Sequence, residues 1–229
     1  MPPATQRLTA RHVQLLRALF AAVAALMITF SPDHSHDVGL SVFGGFGIAT
    51  ALVFGLAAWL VAPAGRRGAP ALLAAVYLVA GMVASVVALR SEALFFGLVI
   101  SWALVAGLVE LLIGVTQRAR LDRTDARDAI VVGAATMALG LALLVVPGDY
   151  ALDYFIEEAG RGFTLTGTII AVGLLGAYAA IVAVYLGIAG LSPQGPAPLA
   201  GGRDDRETPA GTPGPDDTAR AATAQEDRP

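Results

Sequence analysis

Cysteine and lysine are both absent from this 229-residue sequence, and charged residues of any kind are scarce. Without cysteine, the chain has no disulfide scaffold, no thiolate metal site and no cysteine nucleophile. Charged residues make up only 14% of the chain, whereas they average roughly 25% in soluble domains. No basic stripe with interleaved aromatic residues occurs, and we therefore expect no nucleic-acid partner.

The hydrophobic residues form 56% of the chain and are gathered into six long runs. A helix needs about 20 apolar residues to cross the hydrocarbon core of a bilayer. Barrel strands would instead alternate lipid-facing and lumen-facing residues. The sequence therefore predicts an all-α membrane protein, with one transmembrane domain over residues 1–191 and helices at about 12–31, 38–62, 69–89, 93–117, 128–147 and 163–191.

The charges between these runs predict an orientation. The first run follows an arginine-rich segment as in a signal peptide, but no small-x-small cleavage site closes it, so we expect a retained helix. The bias towards Ala, Gly, Val and Arg suits a GC-rich bacterial genome, so we expect a protein of a bacterial plasma membrane, and the positive-inside rule predicts that both termini lie in the cytoplasm. Segment 192–229 is rich in Pro, Gly and Asp and is predicted to be a disordered cytoplasmic tail. The inner segments carry Arg7, Arg11, Arg17, Arg66, Arg67, Arg118, Arg120, Arg123 and Arg127, and the outer ones carry Asp33, Asp37, Glu92, Asp149, Asp153, Glu157 and Glu158.

Two pairs of helices read as copies of one hairpin. The segment Ala18–Val23 recurs as Ala71–Val76, each at the start of the first helix of a pair. Chance matches are common in a chain of this composition, and coincidence is the alternative. Parallel repeats occur in transporters but do not by themselves imply transport. Small residues at four-residue spacing predict close helix packing at Gly47, Ala51, Gly55, Ala103 and Gly107.

The segment Ile28–Gly47, which reads ITFSPDHSHDVGLSVFGGFG and follows Arg17-Ala18-Leu19, resembles small actinobacterial membrane proteins related to the HdeD-like family. The resemblance implies a polytopic envelope protein built of short helical-hairpin repeats, with no established catalytic residue set. The family takes its name from an acid-resistance membrane protein, which suggests a stress-related role. Relatives often carry an acyl-CoA synthetase label, but this chain has neither the large soluble domain nor the phosphate-binding loop of an adenylate-forming enzyme.

Glu110 is the one ionisable residue deep within a predicted span, where an acid costs roughly 2.5–3.5 kcal/mol on insertion scales. One interpretation is an intramembrane polar site, in which Glu110 faces the bundle interior, pairs with a hydroxyl or an arginine and serves a proton relay. The other is structural, with the side chain reaching the interface or a neighbouring loop arginine near the cytoplasmic end. The eight-residue spacing to Arg118 favours the second interpretation.

The outer loop between the first two helices places two imidazoles and two carboxylates within five residues. Such a group could sense falling pH, since imidazoles charge near pH 6.5, or could bind a divalent metal with help from the acidic segment 149–158. The alternative, which we favour, is a helix-capping turn in which Asp37 caps the second helix. The titratable residues of this loop are Asp33, His34, His36 and Asp37.

The outer segment Asp149–Gly160 has acidic residues at four-residue spacing, opposite apolar ones. This pattern predicts an amphipathic helix along the outer interface, with Tyr150 and Tyr154 at headgroup depth. A solvated acidic lid without a ligand is the simpler interpretation of its function.

The scarcity of intramembrane polar residues indicates a non-catalytic integral membrane protein of the bacterial envelope that needs no cofactor. The alternative is a small transporter or channel that uses Glu110 as its polar site. A membrane enzyme would need converging His, Asp or Ser groups at one depth, and the only histidines after His12 lie in the outer loop. The lipid bilayer is the one partner implied, and a homo-oligomer or a membrane-protein partner stays open.

Overall fold

The computed structural model describes residues 9–118, 121, 123–157 and 160–192. Within them, six helices are long and apolar enough to cross a membrane, which confirms the predicted all-α membrane fold. Arg7, Arg120, Glu158 and the predicted tail after Ser192 lie outside the described residues. The helices are α1 (Ala10–Phe30), α2 (His36–Leu56), α3 (Gly68–Ser85), α4 (Glu92–Thr116), α5 (Arg123–Val145) and α6 (Gly167–Leu191).

Hydroxyl side chains cap three of these helices at their amino ends. Ser35 Oγ accepts a hydrogen bond from Val38 N, and Ser91 and Thr166 act in the same way at α4 and α6. The prediction that Asp37 caps the second helix was wrong, because Asp37 lies within the first turn of α2. Its carboxylate instead lies in the first turn of α2, where the positive end of the helix dipole stabilises a negative charge.

Glycines bring the helices together in three tight antiparallel pairs, α2 with α3, α4 with α5, and α1 with α6. A Cβ atom on Gly47 would lie 3.1 Å from the Cα of Gly81, and one on Gly107 would lie 2.7 Å from the backbone nitrogen of Met137. A side chain at either position would require the facing backbone to move, so these helix backbones approach closely, as small residues allow in membranes. The third pair uses Gly176, against Ile28.

The small residues predicted to pack divide into two groups. Gly47, Gly107 and the buried Ala51 and Ala103 lie in helix interfaces. Gly55 was predicted wrongly, since a Cβ there would meet no atom within 4 Å. The physical reason is that the close contact between α2 and α3 is made nearer the start of α2. The tight pairs also join helices that belong to different hairpins of the proposed repeat.

The outer faces of the bundle are apolar. Large hydrophobic side chains such as Leu19, Leu141 and Val184 are more than half exposed. A contiguous apolar surface of this kind is unfavourable in water but is expected where lipid is the solvent. Together with the six spans, it defines an integral multi-pass membrane protein.

The segment between α5 and α6 forms a β-hairpin, so the prediction of an amphipathic helix there was wrong. Strand β1 (Ala151–Ile156) pairs antiparallel with β2 (Arg161–Thr166), and Gly160 adopts a positive φ of 62° in the turn. The stacked rings of Tyr154 and Phe163, 5.9 Å apart, join the strands across one face. Because β2 extends to Thr166, the sixth helix begins four residues later than the predicted residue 163.

Candidate functional site

A cavity of about 440 Å³ opens at the end of the bundle that carries the amino end of α1 and the carboxyl end of α6. We call this end the termini end, the opposite end the hairpin end, and the cavity the vestibule. All six helices contribute to its wall. The lining residues are Ala10, Val13, Gln14, Arg17, Phe54, Ala57, Val61, Ala62, Pro63, Arg66, Ala69, Pro70, Leu73, Glu110, Ile113, Gln117, Leu121, Asp125, Asp128, Ala129 and Leu186.

An ion pair between α1 and α4 lies at the inner limit of the vestibule. Arg17 Nη2 donates to Glu110 Oε1 at 2.5 Å, and the two side chains are only 12% and 2% exposed. The guanidinium also lies over the ring of Phe54, 4.5 Å from its centroid. Each charge alone would be costly within a span, and the pairing offsets part of that cost for both.

The ion pair lies well inside the helices. Arg17 is seven residues beyond Ala10, which is about 10 Å along α1 at about 1.5 Å per residue. Glu110 is six residues before Thr116, or about 9 Å from the end of α4. Glu110 therefore pairs with an arginine of the first helix at its own depth. The favoured expectation of an interfacial or loop partner was wrong on this point.

A second buried carboxylate lies in the vestibule wall closer to the termini end. Asp128 of α5 accepts hydrogen bonds from the Gln14 amide at 2.5 Å and from the Tyr185 hydroxyl at 2.9 Å. Gln14 and Arg17 are three residues apart and therefore lie on one face of α1. Gln14 also donates to Asp125 Oδ1 at 3.4 Å, so this face of α1 binds two acidic side chains of α5 and one of α4 and organises the polar wall.

The end of α2 widens into a π-helical turn over Ala57–Val61, with a hydrogen bond from Ala62 N to Ala57 O at 2.8 Å. Two residues of this turn, together with Ala62 and Pro63, line the vestibule. Proline cannot continue a helix, which ends the turn here. Single π turns occur frequently at functional sites, and this one shapes the vestibule wall.

Polar groups continue beyond the ion pair towards the middle of the bundle. Arg17, Thr50, Tyr77 and Tyr178 surround a space too narrow for a water molecule. The Tyr178 hydroxyl shares a hydrogen bond of 2.9 Å with Thr136. These residues come from five different helices, so a cross-section of the bundle near mid-depth is partly polar.

An aromatic cluster around Trp102 closes the interior above these groups. The Trp102 ring packs edge-on against Phe43 at 4.9 Å and Tyr77 at 5.3 Å between centroids. Nearer the hairpin end, Phe95 is fully buried, and a Cβ atom on Gly39 of α2 would lie 2.7 Å from its ring and 2.9 Å from Val172 of α6. The vestibule is therefore open at the termini end and closed towards the hairpin end.

The loop between α1 and α2 makes mainly local contacts. Asp33 accepts hydrogen bonds from the Ser35 backbone nitrogen at 2.9 Å and from its hydroxyl at 2.8 Å, an Asx turn that leads into α2. His36 Nε2 lies 3.7 Å from an oxygen of Asp37. His34 and His36 line a surface pocket with Thr166 and Thr168, and no described acidic residue of the hairpin lines it. Among the described residues, no three His, Asp or Glu side chains converge as a metal site.

The sequence indicated Glu110 as a candidate site residue, but it did not indicate Arg17, which pairs with Glu110, or the second buried acid, Asp128. Arg17 was counted as a flanking charge, although Gln14, Arg17, Ala18 and Ala21 follow one helical face within the predicted first span. Asp128 and Tyr185 gave no such signal. Comparisons with models of protein families, with curated proteins and with solved structures find no match.

Proposed function

We propose that this is a non-catalytic protein of the bacterial plasma membrane that acts through the vestibule, by binding a small solute from the cytoplasm. The observation that carries the proposal is the Arg17–Glu110 ion pair, buried within the spans at the inner limit of an open cavity. Two ionised side chains at this depth are costly, so we expect them either to hold helices together or to bind a ligand. The cavity volume lies in the range of small-molecule sites, which favours the ligand.

The orientation and the biological context extend this proposal. The arginines near the termini end favour a cytoplasmic opening by the positive-inside rule. A role in acid or envelope stress rests on the resemblance of Ile28–Gly47 to HdeD-like proteins. Membership of that family is likewise part of the proposal.

A small transporter or channel is the second candidate function. It is favoured by the polar groups beyond the ion pair, Thr50, Tyr77, Tyr178 and Thr136, which extend the vestibule towards mid-depth. Transport would require the aromatic cluster at Trp102 to open, since transporters expose a central site to each side in turn. Uptake of a solute into proteoliposomes would favour this alternative, whereas saturable binding without flux favours a binding protein.

The test is complementation of a deletion strain under acid, metal and envelope stress. The double variant Arg17→Gln, Glu110→Gln removes both charges together and leaves no buried ion unpaired. We expect it to reach normal membrane abundance and to lose complementation, whereas Glu92→Gln at the hairpin end retains it. Full complementation by the double variant would contradict a role for the vestibule.

A further inference from the structure

One oxygen at the inner limit of the vestibule is buried without a donor. Glu110 Oε1 accepts from Arg17, but Oε2 has no hydrogen-bond partner among the described residues. The great majority of buried polar atoms in proteins have a hydrogen-bond partner, and a buried carboxylate oxygen without a donor is particularly unfavourable. Glu110 lines the vestibule, so a rotation of its carboxylate would turn this covered oxygen towards a molecule there, whose N–H group can supply the missing hydrogen bond.

The charges of the vestibule wall favour a cation. Among the described residues that line it, Glu110 is paired with Arg17, Arg66 and Asp125 carry opposite charges, and Asp128 adds one negative charge, so their formal charge is −1. The two hydrogen-bond donors to Asp128 are a neutral amide and a neutral hydroxyl. In a cleft with low-dielectric walls, an excess of one sign attracts ions of the other.

Most of the remaining wall is apolar. Phe54, Val61, Leu73, Ile113 and Leu186 come from α2, the π turn, α3, α4 and α6. A small inorganic cation would find too few oxygen ligands, because calcium takes six to eight and magnesium keeps an octahedron. A site with a few convergent polar groups and hydrophobic walls suits an organic molecule.

We propose that the vestibule binds a small amphipathic organic cation, a protonated amine whose N–H donates to Glu110 Oε2 while its apolar body contacts the hydrophobic wall. This inference rests on the proposed function and names the ligand class of the same site. The amine enters from the termini end and stops at the ion pair, where the space between Arg17, Thr50 and Tyr178 becomes too narrow. Asp128, closer to the opening, adds a second negative charge along its path.

The natural absence of cysteine gives a clean assay. Ile113→Cys places one thiol in the vestibule wall of the full chain in nanodiscs, and a neutral, membrane-impermeant thiol reagent reports its accessibility. Three probes share one phenylbutyl body: phenylbutylammonium, the neutral phenylbutanol and the anion phenylpentanoate. We expect saturable protection of the thiol by the cation, with at least about tenfold weaker protection by the alcohol and the anion, the factor that one charge-assisted hydrogen bond supplies.

Two variants in the Ile113→Cys background test which residues produce the preference for the cation. Arg17→Gln, Glu110→Gln should reduce the affinity for phenylbutylammonium at least about tenfold, and Asp128→Asn, which removes the charge and keeps one of the two acceptor oxygens, should reduce it several-fold. Glu92→Gln is the matched control and should leave the affinity for phenylbutylammonium unchanged. If the double variant does not fold, Asp128→Asn still tests the charge argument.

The outcomes separate the ligand class from the proposed function. Equal protection by cation and alcohol, a preference for the anion, or no saturable protection would each overturn the cation proposal. Complementation that still depends on Arg17 and Glu110 would then leave the proposed function standing. A thiol at position 113 that water-soluble reagents never reach would contradict both.

Discussion

The ion pair between Arg17 and Glu110 makes a sharp prediction for stability. We expect either single variant, Arg17→Gln or Glu110→Gln, to lower the free energy of unfolding by about 3–5 kcal/mol, the usual cost of removing one partner of a buried ion pair. The structure supports the full range, since Glu110 is 2% exposed and Arg17 is 12% exposed. An exposed pair would contribute only about 0–1 kcal/mol.

The double variant distinguishes pairing from simple loss of contacts. Replacing both partners leaves no uncompensated charge, and such replacements are often close to neutral. We therefore expect Arg17→Gln, Glu110→Gln to be more stable than either single variant. The loss of the Arg17 contact with the ring of Phe54 keeps the double variant somewhat below the wild type.

The assay is unfolding by SDS in bicelles, followed by circular dichroism. Glu92→Gln is the matched control, because that carboxylate accepts one hydrogen bond from Thr168 at 2.7 Å at the start of α4. The Gln side chain keeps an oxygen that can accept from Thr168, so this variant should lose at most about 1 kcal/mol, the usual contribution of a single hydrogen bond. A double variant that loses the sum of the two single effects would refute the reasoning, as would single effects below about 1 kcal/mol.

Three further predictions concern packing, the vestibule wall and the loop between α1 and α2. Gly107→Ala should lose at least about 2 kcal/mol in the same assay, because its Cβ would lie 2.7 Å from a backbone atom, whereas Gly55→Ala should be neutral; equal effects would contradict the helix pairing. Tyr185→Phe removes a hydroxyl that donates to a buried carboxylate and should cost about 1–3 kcal/mol; an unchanged unfolding curve would contradict that bond. Alanine at both His34 and His36 should leave fold and membrane abundance unchanged in gel filtration and immunoblots, and loss of acid survival at normal abundance would favour pH sensing.

The membrane spans could be predicted from the sequence because a lipid environment requires long apolar helices. Every backbone polar group must be satisfied within the segment, so an uncharged run of sufficient length has one economical structure. The predicted bounds agree with the helices to within two residues for α1, for α4 and for α2 taken together with its π turn. Their caps were harder to place, since Ser35 and Asp37 are both good N-cap residues and only the backbone geometry decides between them.

The partner of Glu110 could not be read in the same way. Which arginine reaches an acid depends on helix contacts between residues 93 positions apart, and single-sequence periodicity does not encode them. Arg17 was counted with the flanking charges because α1 begins earlier than its apolar run. Two turns of α1 that contain Arg11 and Gln14 are polar on the face that meets α5 and α6.

The β-hairpin was missed for a related reason. Asp149, Asp153 and Glu157 have helical spacing, but a strand of six residues carries too few alternations to compete with that pattern. The decisive information lies in β2, whose Phe163 and Thr164 face Tyr154 and Asp153 across the ladder. Those residues were assigned to the following apolar run, so the pairing between the two segments was invisible.

The most direct test of the account is the sidedness of thiol labelling at two adjacent positions of α4. Ile113 lines the vestibule, and its neighbour Leu112 is 50% exposed on the outer face of the bundle. An impermeant thiol reagent should label Ile113→Cys in inside-out vesicles, should fail to label it in intact cells, and should label Leu112→Cys in neither. Labelling of Ile113→Cys from the cell exterior, or equal labelling of both positions, would contradict a water-filled vestibule that opens to the cytoplasm and ends at Glu110.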